Sequence, residues 1–340
     1  MVDLSSLGEG TSAVWTRRAA EQLISARSVD RKLATEWQSP YPSVLADAGY
    51  ALDPVQWATA GVLASGGDAR PDPLGRVDAD GRLTVRLPAL PCGRDAARVW
   101  GYPLVDDDDP ATGGLDRFEH DVHVWSDLYD LVAPVVAGDP RPHVLHRHTL
   151  TFYEGEIVLH ASGLWLPSPL RTALDCCGLL SFEAAVCVMD DGLHRGLFDL
   201  AHVDAALARR AGHPGVERQR DVVRAADGRA EAASETLLRL LLKPGWPELE
   251  PQVTLYDDRG YATRRFDLGD REVQLGVESD GKVAHGGERM AAKDHVKDRA
   301  AWSQHRWWTE RATWFQIRRQ PEQTRARIVG ARDRMRARAA

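Results

Sequence analysis

The C-terminal third of the chain has the most regular pattern of apolar and polar positions. Leucines recur at helical spacing over residues 231–242, and Lys243-Pro244-Gly245 ends that helix. Apolar and polar residues then alternate over 252–256, 262–268 and 272–278, which predicts three strands separated by turns. A polar helix over about 288–310, a strand over 313–318 and a basic helix from Pro321 complete the predicted order α-β-β-β-α-β-α.

Patterns nearer the N-terminus predict a pair of helices followed by a mixed region. The first helix covers 16–24 with Thr16 as its N-cap, and the second covers 28–35 with Ser28 as its cap. A short extended element follows, which favours a winged helix-turn-helix whose second helix enters a DNA major groove. Strand-like alternation and further capped helices fill the middle of the chain. We therefore predict an α+β protein with three regions, namely a winged-helix-like DNA-binding region at 1–57, a mixed α/β region at 58–227 and a C-terminal domain at 228–340.

Length and composition indicate ordinary globular domains. The 340 residues are 43% hydrophobic and 27% charged, which excludes a disordered or fibrous chain. No run approaches the roughly 18 apolar residues of a membrane span, and the first residues lack the layout of a secretory signal. We therefore expect a cytoplasmic protein without a membrane partner. The 4 cysteines include no C-x-x-C pair, so neither a zinc site nor a disulfide framework is expected.

The net charge of −7 conceals an asymmetry along the chain. From Lys282 to the C-terminus there are 15 Lys and Arg against 6 Asp and Glu, a balance of +9, which leaves −16 for the preceding 281 residues. A basic block of this kind is typical of a face that binds a polyanion such as DNA. A solvated arginine-rich helix is the alternative explanation.

Four carboxylates in the predicted C-terminal domain are candidates for a metal site. Glu278 and Asp280 lie two residues apart and share a face of the third strand, and Asp267 lies near the turn that joins the second strand to it. Glu235, on the preceding helix, could add a fourth carboxylate. Acidic oxygens without cysteine or histidine partners suit a hard cation, Mg²⁺ or Mn²⁺, which can activate water and stabilise charge on a phosphodiester.

Two residues just beyond these carboxylates are candidates for the rest of the chemistry. Lys282 could stabilise a charged transition state, and His285 could transfer a proton. The alternative is that these strand ends and turns are simply polar and solvated.

Arginines alternate with tryptophans in the basic block, a pattern that can grip phosphates and stack on bases. The predicted DNA-binding arginines are Arg299, Arg306, Arg311, Arg318 and Arg319. The interleaved tryptophans are Trp302, Trp307, Trp308 and Trp314. For each tryptophan, packing of the last helices on the sheet is the alternative role.

The C-terminal sequence resembles domain of unknown function 559, which is similar to the very-short-patch-repair endonucleases of the PD-(D/E)XK superfamily. The residues that carry the resemblance are Glu235-Thr236-Leu237-Leu238-Arg239, Pro251-Gln252-Val253, Phe266-Asp267-Leu268 and Val277-Glu278-Ser279-Asp280-Gly281 with His285. Upstream, the segments 37–46, 97–101, 146–147 and 168–172 resemble actinobacterial proteins of this type, which are often described with an AbiEi-type antitoxin winged-helix region.

The resemblance implies a restriction-endonuclease-like α-β-β-β-α-β core. It implies Asp267 and Glu278 as metal ligands, Glu235 as an accessory acid, and Asp280, Gly281 and His285 as the rest of the signature. With Asp280 added from its place beside Glu278, the predicted metal ligands are Asp267, Glu278 and Asp280. The superfamily's usual E-x-K would place lysine where this chain has Asp280, and Lys282 is the candidate substitute.

The leading hypothesis is a Mg²⁺- or Mn²⁺-dependent DNA endonuclease or nickase acting in phage defence or DNA repair. The alternative is a non-catalytic, antitoxin-type transcriptional regulator with an inactive nuclease-like fold, which would have a toxin as its partner. A plain interaction module is a third hypothesis, and the sequence does not indicate the oligomeric state.

Overall fold

A computed structural model describes residues 14–49, 51–66, 76–84, 89–106, 118–124, 131–133, 143–280, 302–303 and 305–339. The fold class is α+β, as predicted, with helices and several small sheets. The described residues divide into two compact units, with the boundary between Leu180 and Ser181. The three predicted regions, with boundaries at 57/58 and 227/228, stay a prediction about organisation. Within the described ranges, none of the helices has the length and apolar character needed to span a bilayer.

A small helix pair with a three-stranded sheet opens the first unit. Its elements are β1 (Val14–Thr16), α1 (Arg17–Leu23), α2 (Ala26–Leu33), β2 (Trp37–Gln38) and β3 (Val44–Asp47), with β3 central in the sheet. Thr16 caps α1 as predicted, because its hydroxyl accepts the backbone N–H of Ala19. The predicted start of α2 was wrong: Ser25 rather than Ser28 is the N-cap, and the Ser25 hydroxyl accepts the backbone N–H of Ser28. Either serine can cap a helix, so the sequence alone did not separate them.

The rest of the first unit is a mixed α/β assembly. Its elements are α3 (Pro54–Ala64), β4 (Arg76–Val77), β5 (Arg82–Thr84), β6 (Ala89–Pro91), α4 (Gly93–Val99), β7 (Phe118–Val124), β8 (Leu131–Ala133), β9 (His143–His148), β10 (Phe152–Tyr153), β11 (Ile157–Leu159), β12 (Trp165–Pro167) and α5 (Pro169–Leu179). The largest sheet has the order β6-β7-β9-β8, with β7 and β9 parallel. The other strands form the sheets β10-β5-β4 and β11-β12.

A buried polar network joins α4 to the centre of this largest sheet. The carboxylate of Asp121 lies 2.7 Å from Nε2 of His148 and accepts hydrogen bonds from Arg94. Burial alone would raise the pKa of Asp121, but the His148 hydrogen bond and the Arg94 charge outweigh it and lower the pKa to about 2. Asp121 can therefore stay ionised in the core because Arg94 and His148 pair with it.

Within its described residues, the second unit comprises four helices, a four-stranded sheet and two C-terminal helices. Its elements are α6 (Phe182–His194), α7 (Leu200–Arg209), α8 (Val216–Ala225), α9 (Ala233–Leu242), β13 (Glu250–Tyr256), β14 (Ala262–Asp270), β15 (Leu275–Asp280), β16 (Trp308–Thr313), α10 (Trp314–Arg319) and α11 (Pro321–Ala339). The sheet order is β13-β14-β15-β16, antiparallel except for the parallel pair β15 and β16. Residues 288–301 and 304 of the predicted helix between those two strands lie outside the described part of the chain.

Two predicted elements near the C-terminus were wrong. Residues 308–310, assigned to the end of a helix, belong to β16, and most of the predicted strand at 313–318 is α10. Helix α10 starts there because Thr313 and Gln316 form a capping box, in which each side chain bonds the other's backbone N–H. Parallel pairing with β15 extends β16 back to Trp308.

Candidate functional site

Asp267 lies where β14 and β15 separate, and it faces the start of α9. Its Oδ2 accepts hydrogen bonds from the backbone N–H of Ser279 at 2.7 Å and from the Ser279 hydroxyl at 3.1 Å. The Ser279 hydroxyl in turn lies 3.0 Å from the hydroxyl of Ser234, which is on α9. Burial raises the pKa of Asp267 against the lowering effect of the two Ser279 hydrogen bonds. The carboxylate is therefore held in place but is poorly solvated.

Glu235 brings a second carboxylate to the same place from the first turn of α9. Its Oε2 accepts the side-chain N–H of Gln252 at 2.8 Å and the backbone N–H of Glu231 at 3.0 Å. Burial and the negative charges of Asp267 and Glu231 raise the pKa of Glu235 to about 6. The structure thus brings together two of the four predicted carboxylates, Glu235 and Asp267.

The strand pairing and the backbone are irregular beside the two carboxylates. The pairing of β13 with β14 joins Pro251 to Leu268 and Val253 to Phe266 but skips Gln252 and Asp267. Gln252 has a φ of +56°, a left-handed conformation that is uncommon for a residue other than glycine. Such a conformation persists only where the surrounding structure enforces it, and it occurs often at functional sites. Here it accompanies the hydrogen bond that Gln252 donates to Glu235.

Glu278 does not join this carboxylate pair. It forms ion pairs with Arg264 at 2.5 Å and with Arg311 at 2.9 Å, and Arg311 is its register partner on β16. Successive strand residues face opposite sides of a sheet, and its neighbour Ser279 contacts Asp267. Glu278 therefore points to the face of the sheet opposite Ser279.

The other predicted site residues fall into two groups. Asp280 is exposed at the last position of β15, in register with Thr313. Lys282, His285 and Arg299 lie outside the described residues. Among the residues that the structure does describe, no group of three histidine, cysteine, aspartate or glutamate side chains could hold a metal ion.

The chemistry of the pair suits a hard cation nonetheless. Glu235 and Asp267 offer carboxylate oxygens, and neither side chain forms an ion pair within the described part of the chain. Mg²⁺ is commonly bound by one or two carboxylates while it keeps several of its waters. The two residues fit such an ion, whereas Glu278, paired with two arginines, does not contribute to it.

Sequence reasoning missed Gln252 and Ser279, the side chains that hold the two carboxylates. It also placed Asp267 with Glu278, because Asp267 lies next to the turn that joins the two strands. The signal that could have found Ser279 is its position two residues after the buried Val277, on the strand face that α9 covers.

The predicted DNA-binding residues are distributed over the C-terminal elements. The guanidinium of Arg306 lies 5.8 Å from the ring centre of Trp302, and that of Arg318 lies 5.8 Å from the ring centre of Trp314. Arg311 pairs with Glu278, and Arg319 is exposed at the end of α10. Of the tryptophans, Trp307 is a core residue stacked on Phe266, with ring centres 5.4 Å apart.

Comparison with known proteins yields relatives without an assigned activity. The chain is 28% identical over 184 residues to the uncharacterized proteins MT2308 and Rv2248 of Mycobacterium tuberculosis strains CDC 1551 and H37Rv. Each match covers 54% of this chain and 67% of the relative. No family profile matches the chain. No solved structure matches it.

Proposed function

We propose that the second unit is a Mg²⁺- or Mn²⁺-dependent DNA endonuclease or nickase whose metal ligands are Glu235 and Asp267. The observation that carries this proposal is the convergence of two half-buried carboxyl groups, both with raised pKa values, from α9 and β14. The hydrogen bonds that hold them come from neutral donors, so the negative charge of the pair is not balanced by a direct ion pair with a described residue. A pair of acids arranged in this way loses stability unless it binds a proton or a cation.

The surrounding side chains orient the carboxylates for such an ion. Ser279 donates a hydrogen bond to Oδ2 of Asp267. The side chain of Gln252 and the backbone N–H of Glu231 donate hydrogen bonds to Oε2 of Glu235. The remaining oxygens, Oδ1 and Oε1, are those that would hold the cation. When bound, the ion supplies a water of lowered pKa and stabilises negative charge on the phosphodiester.

Two basic elements would hold the DNA. In the first unit, α2 exposes Arg27 and Arg31 on the second helix of the pair, the position that reads bases in a helix-turn-helix. In the second unit, Arg318 and Arg319 lie in the last turn of α10. Phosphate contacts from such arginines position the duplex, whereas base contacts specify its sequence.

A second candidate function is a DNA-binding regulator without catalysis. The observation that favours it is the pairing of Glu278 with Arg264 and Arg311, which removes from the site the glutamate that the family resemblance implies as a metal ligand. A nuclease-like unit that lacks this ligand could keep its DNA-binding surface and lose its chemistry.

Cleavage of supercoiled plasmid separates the two candidates. We expect the wild-type protein to nick or linearise plasmid with Mg²⁺ or Mn²⁺ and not with EDTA. Asp267→Asn and Glu235→Gln should abolish cleavage while DNA binding persists. Glu272→Gln is the matched control, since it removes one exposed carboxylate from the turn between β14 and β15. Sequence-selective DNA binding without metal-dependent cleavage would support the regulator instead.

A further inference from the structure

A cavity of about 280 Å³ lies between β16 and the C-terminal half of α11. Its lining consists of Trp308, Ala331, Arg334, Met335, Ala337 and Arg338. Small-molecule pockets in proteins have volumes of about 300–1,000 Å³, so a cavity just below this range suits a single heterocycle.

The aromatic wall of this cavity is exposed and oriented. Trp308 is 43% exposed, and its Nε1 donates a 3.0 Å hydrogen bond to Glu310, which fixes the plane of the indole. Glu310 is itself paired with Arg327. Trp302 and Trp308 form a perpendicular ring pair, with ring centres 6.2 Å apart. The alternative role for Trp307 and Trp308 was packing in the core. Trp307 takes that role, whereas Trp308 stays exposed.

Cationic side chains flank the same cavity. Arg334 and Arg338 are exposed and lie one helical turn apart on α11, so they project from the same side of the helix. Arg334 forms no ion pair within the described part of the chain, and Arg338 lies with its guanidinium 5.9 Å from the ring centre of Trp302. The adjacent Ala331 and Met335 are buried and form the apolar floor.

We propose that this cavity binds one unpaired nucleobase of single-stranded DNA, stacked on Trp308, with the flanking phosphates held by Arg334 and Arg338. Bases stack on aromatic side chains without regard to sequence, while arginines attract the backbone. Bases within a duplex already stack on each other, so the cavity selects unpaired or unstacked nucleotides. An acidic peptide would need the arginines but not the exposed indole. The inference rests on the proposed DNA-binding function and names the form of DNA that the second unit prefers.

The test measures binding of the full chain to fluorescein-labelled DNA by anisotropy in EDTA, so that cleavage plays no part. The probes are a single-stranded oligonucleotide, the matched duplex, and a series of single strands in which one abasic residue is moved along the sequence. We expect Trp308→Ala to weaken single-strand binding by roughly 5- to 150-fold, the range measured for base stacking on one aromatic ring, and to affect the duplex much less. Trp308→Phe should retain part of the affinity because it keeps an aromatic face.

Two matched controls separate the cavity from general charge and general aromatic exposure. Arg334→Ala and Arg338→Ala should weaken single-strand binding more than Arg336→Ala, which removes the same charge from an exposed position on the same helix outside the lining. Phe315→Ala removes an aromatic side chain from α10 that is more exposed than Trp308, at 55% against 43%, and should leave binding unchanged.

The outcomes distinguish this inference from the proposed function. Wild-type protein should lose affinity when an abasic residue replaces the stacked base, and Trp308→Ala should be insensitive to that replacement. If the three arginine variants lose the same affinity, or if wild type and Trp308→Ala are equally sensitive to the abasic residue, the cavity does not bind a base. DNA binding by the chain would still stand in that case. Failure to bind either form of DNA would overturn both.

Discussion

Replacing Glu235 with glutamine should stabilise the metal-free protein at neutral pH. The pKa of this carboxyl rises from 4.5 to about 6, and 1.36 kcal/mol per pKa unit converts the difference to about 2 kcal/mol. The side chain is partly exposed, so solvent screening reduces our expectation to about 1 kcal/mol. Glutamine keeps a side-chain oxygen that can accept the hydrogen bonds from Gln252 and the Glu231 backbone.

The pH dependence gives the sign of this effect. Because the folded pKa lies above the unfolded one, the folded state binds more protons between about pH 4.5 and 6, and the stabilisation present below that window is lost as the pH rises through it. Above pH 6 the variant should therefore be more stable than wild type, and at pH 4 the two should be equal. Glu272→Gln, which removes one exposed carboxylate from the turn between β14 and β15, is the matched control.

Urea unfolding between pH 4 and 8 in EDTA measures the difference in the free energy of unfolding. Hydrogen exchange over 233–280 assigns the transition to the second unit. Mg²⁺ should stabilise wild type, by about 2.7 kcal/mol at a hundredfold excess over its Kd, and should have little effect on Glu235→Gln or Asp267→Asn. A variant that is less stable than wild type at every pH, together with a wild type indifferent to Mg²⁺ and Mn²⁺, would refute the metal site and indicate structural hydrogen bonds worth roughly 1–3 kcal/mol.

Three further predictions concern other parts of the chain. Glu278→Gln breaks two ion pairs and should lower the free energy of unfolding by about 1 kcal/mol while plasmid cleavage persists. A complete loss of cleavage with unchanged stability would instead show that Glu278 belongs to the metal site. The pKa of Asp121 is lowered to about 2, so its stabilising effect is present above about pH 4 and is lost as the pH falls towards 2. In an acid titration followed by circular dichroism, the stability of Asp121→Asn should therefore decline less steeply with falling pH than that of wild type. Replacing both Arg27 and Arg31 with alanine should remove sequence preference in a binding-site selection but leave salt-dependent binding intact. Replacing both Arg318 and Arg319 with alanine should instead weaken binding to all sequences equally. If the same sites are selected before and after the α2 changes, this helix does not read bases.

Local sequence determined most of the second unit's elements. The leucine spacing and the Lys243-Pro244-Gly245 stop predicted α9, and period-two alternation predicted β13, β14 and β15 within a few residues. Thr16 likewise identified the start of α1. These features depend on residues close together in the chain, because helical and strand periodicity and capping hydrogen bonds are local properties.

Tertiary structure decided which of the candidate side chains meet. The sequence placed Asp267 beside Glu278, but in the folded chain Asp267 accepts hydrogen bonds from Ser279. Glu278 instead pairs with Arg311 of the parallel strand β16 on the other face of the sheet. A strand's own pattern shows which residues share a face, whereas the register with its neighbours and the face that a helix covers depend on packing between distant segments. The carboxylates could therefore be recognised from the sequence, but the pairing of Glu235 with Asp267 could be known only from the folded chain.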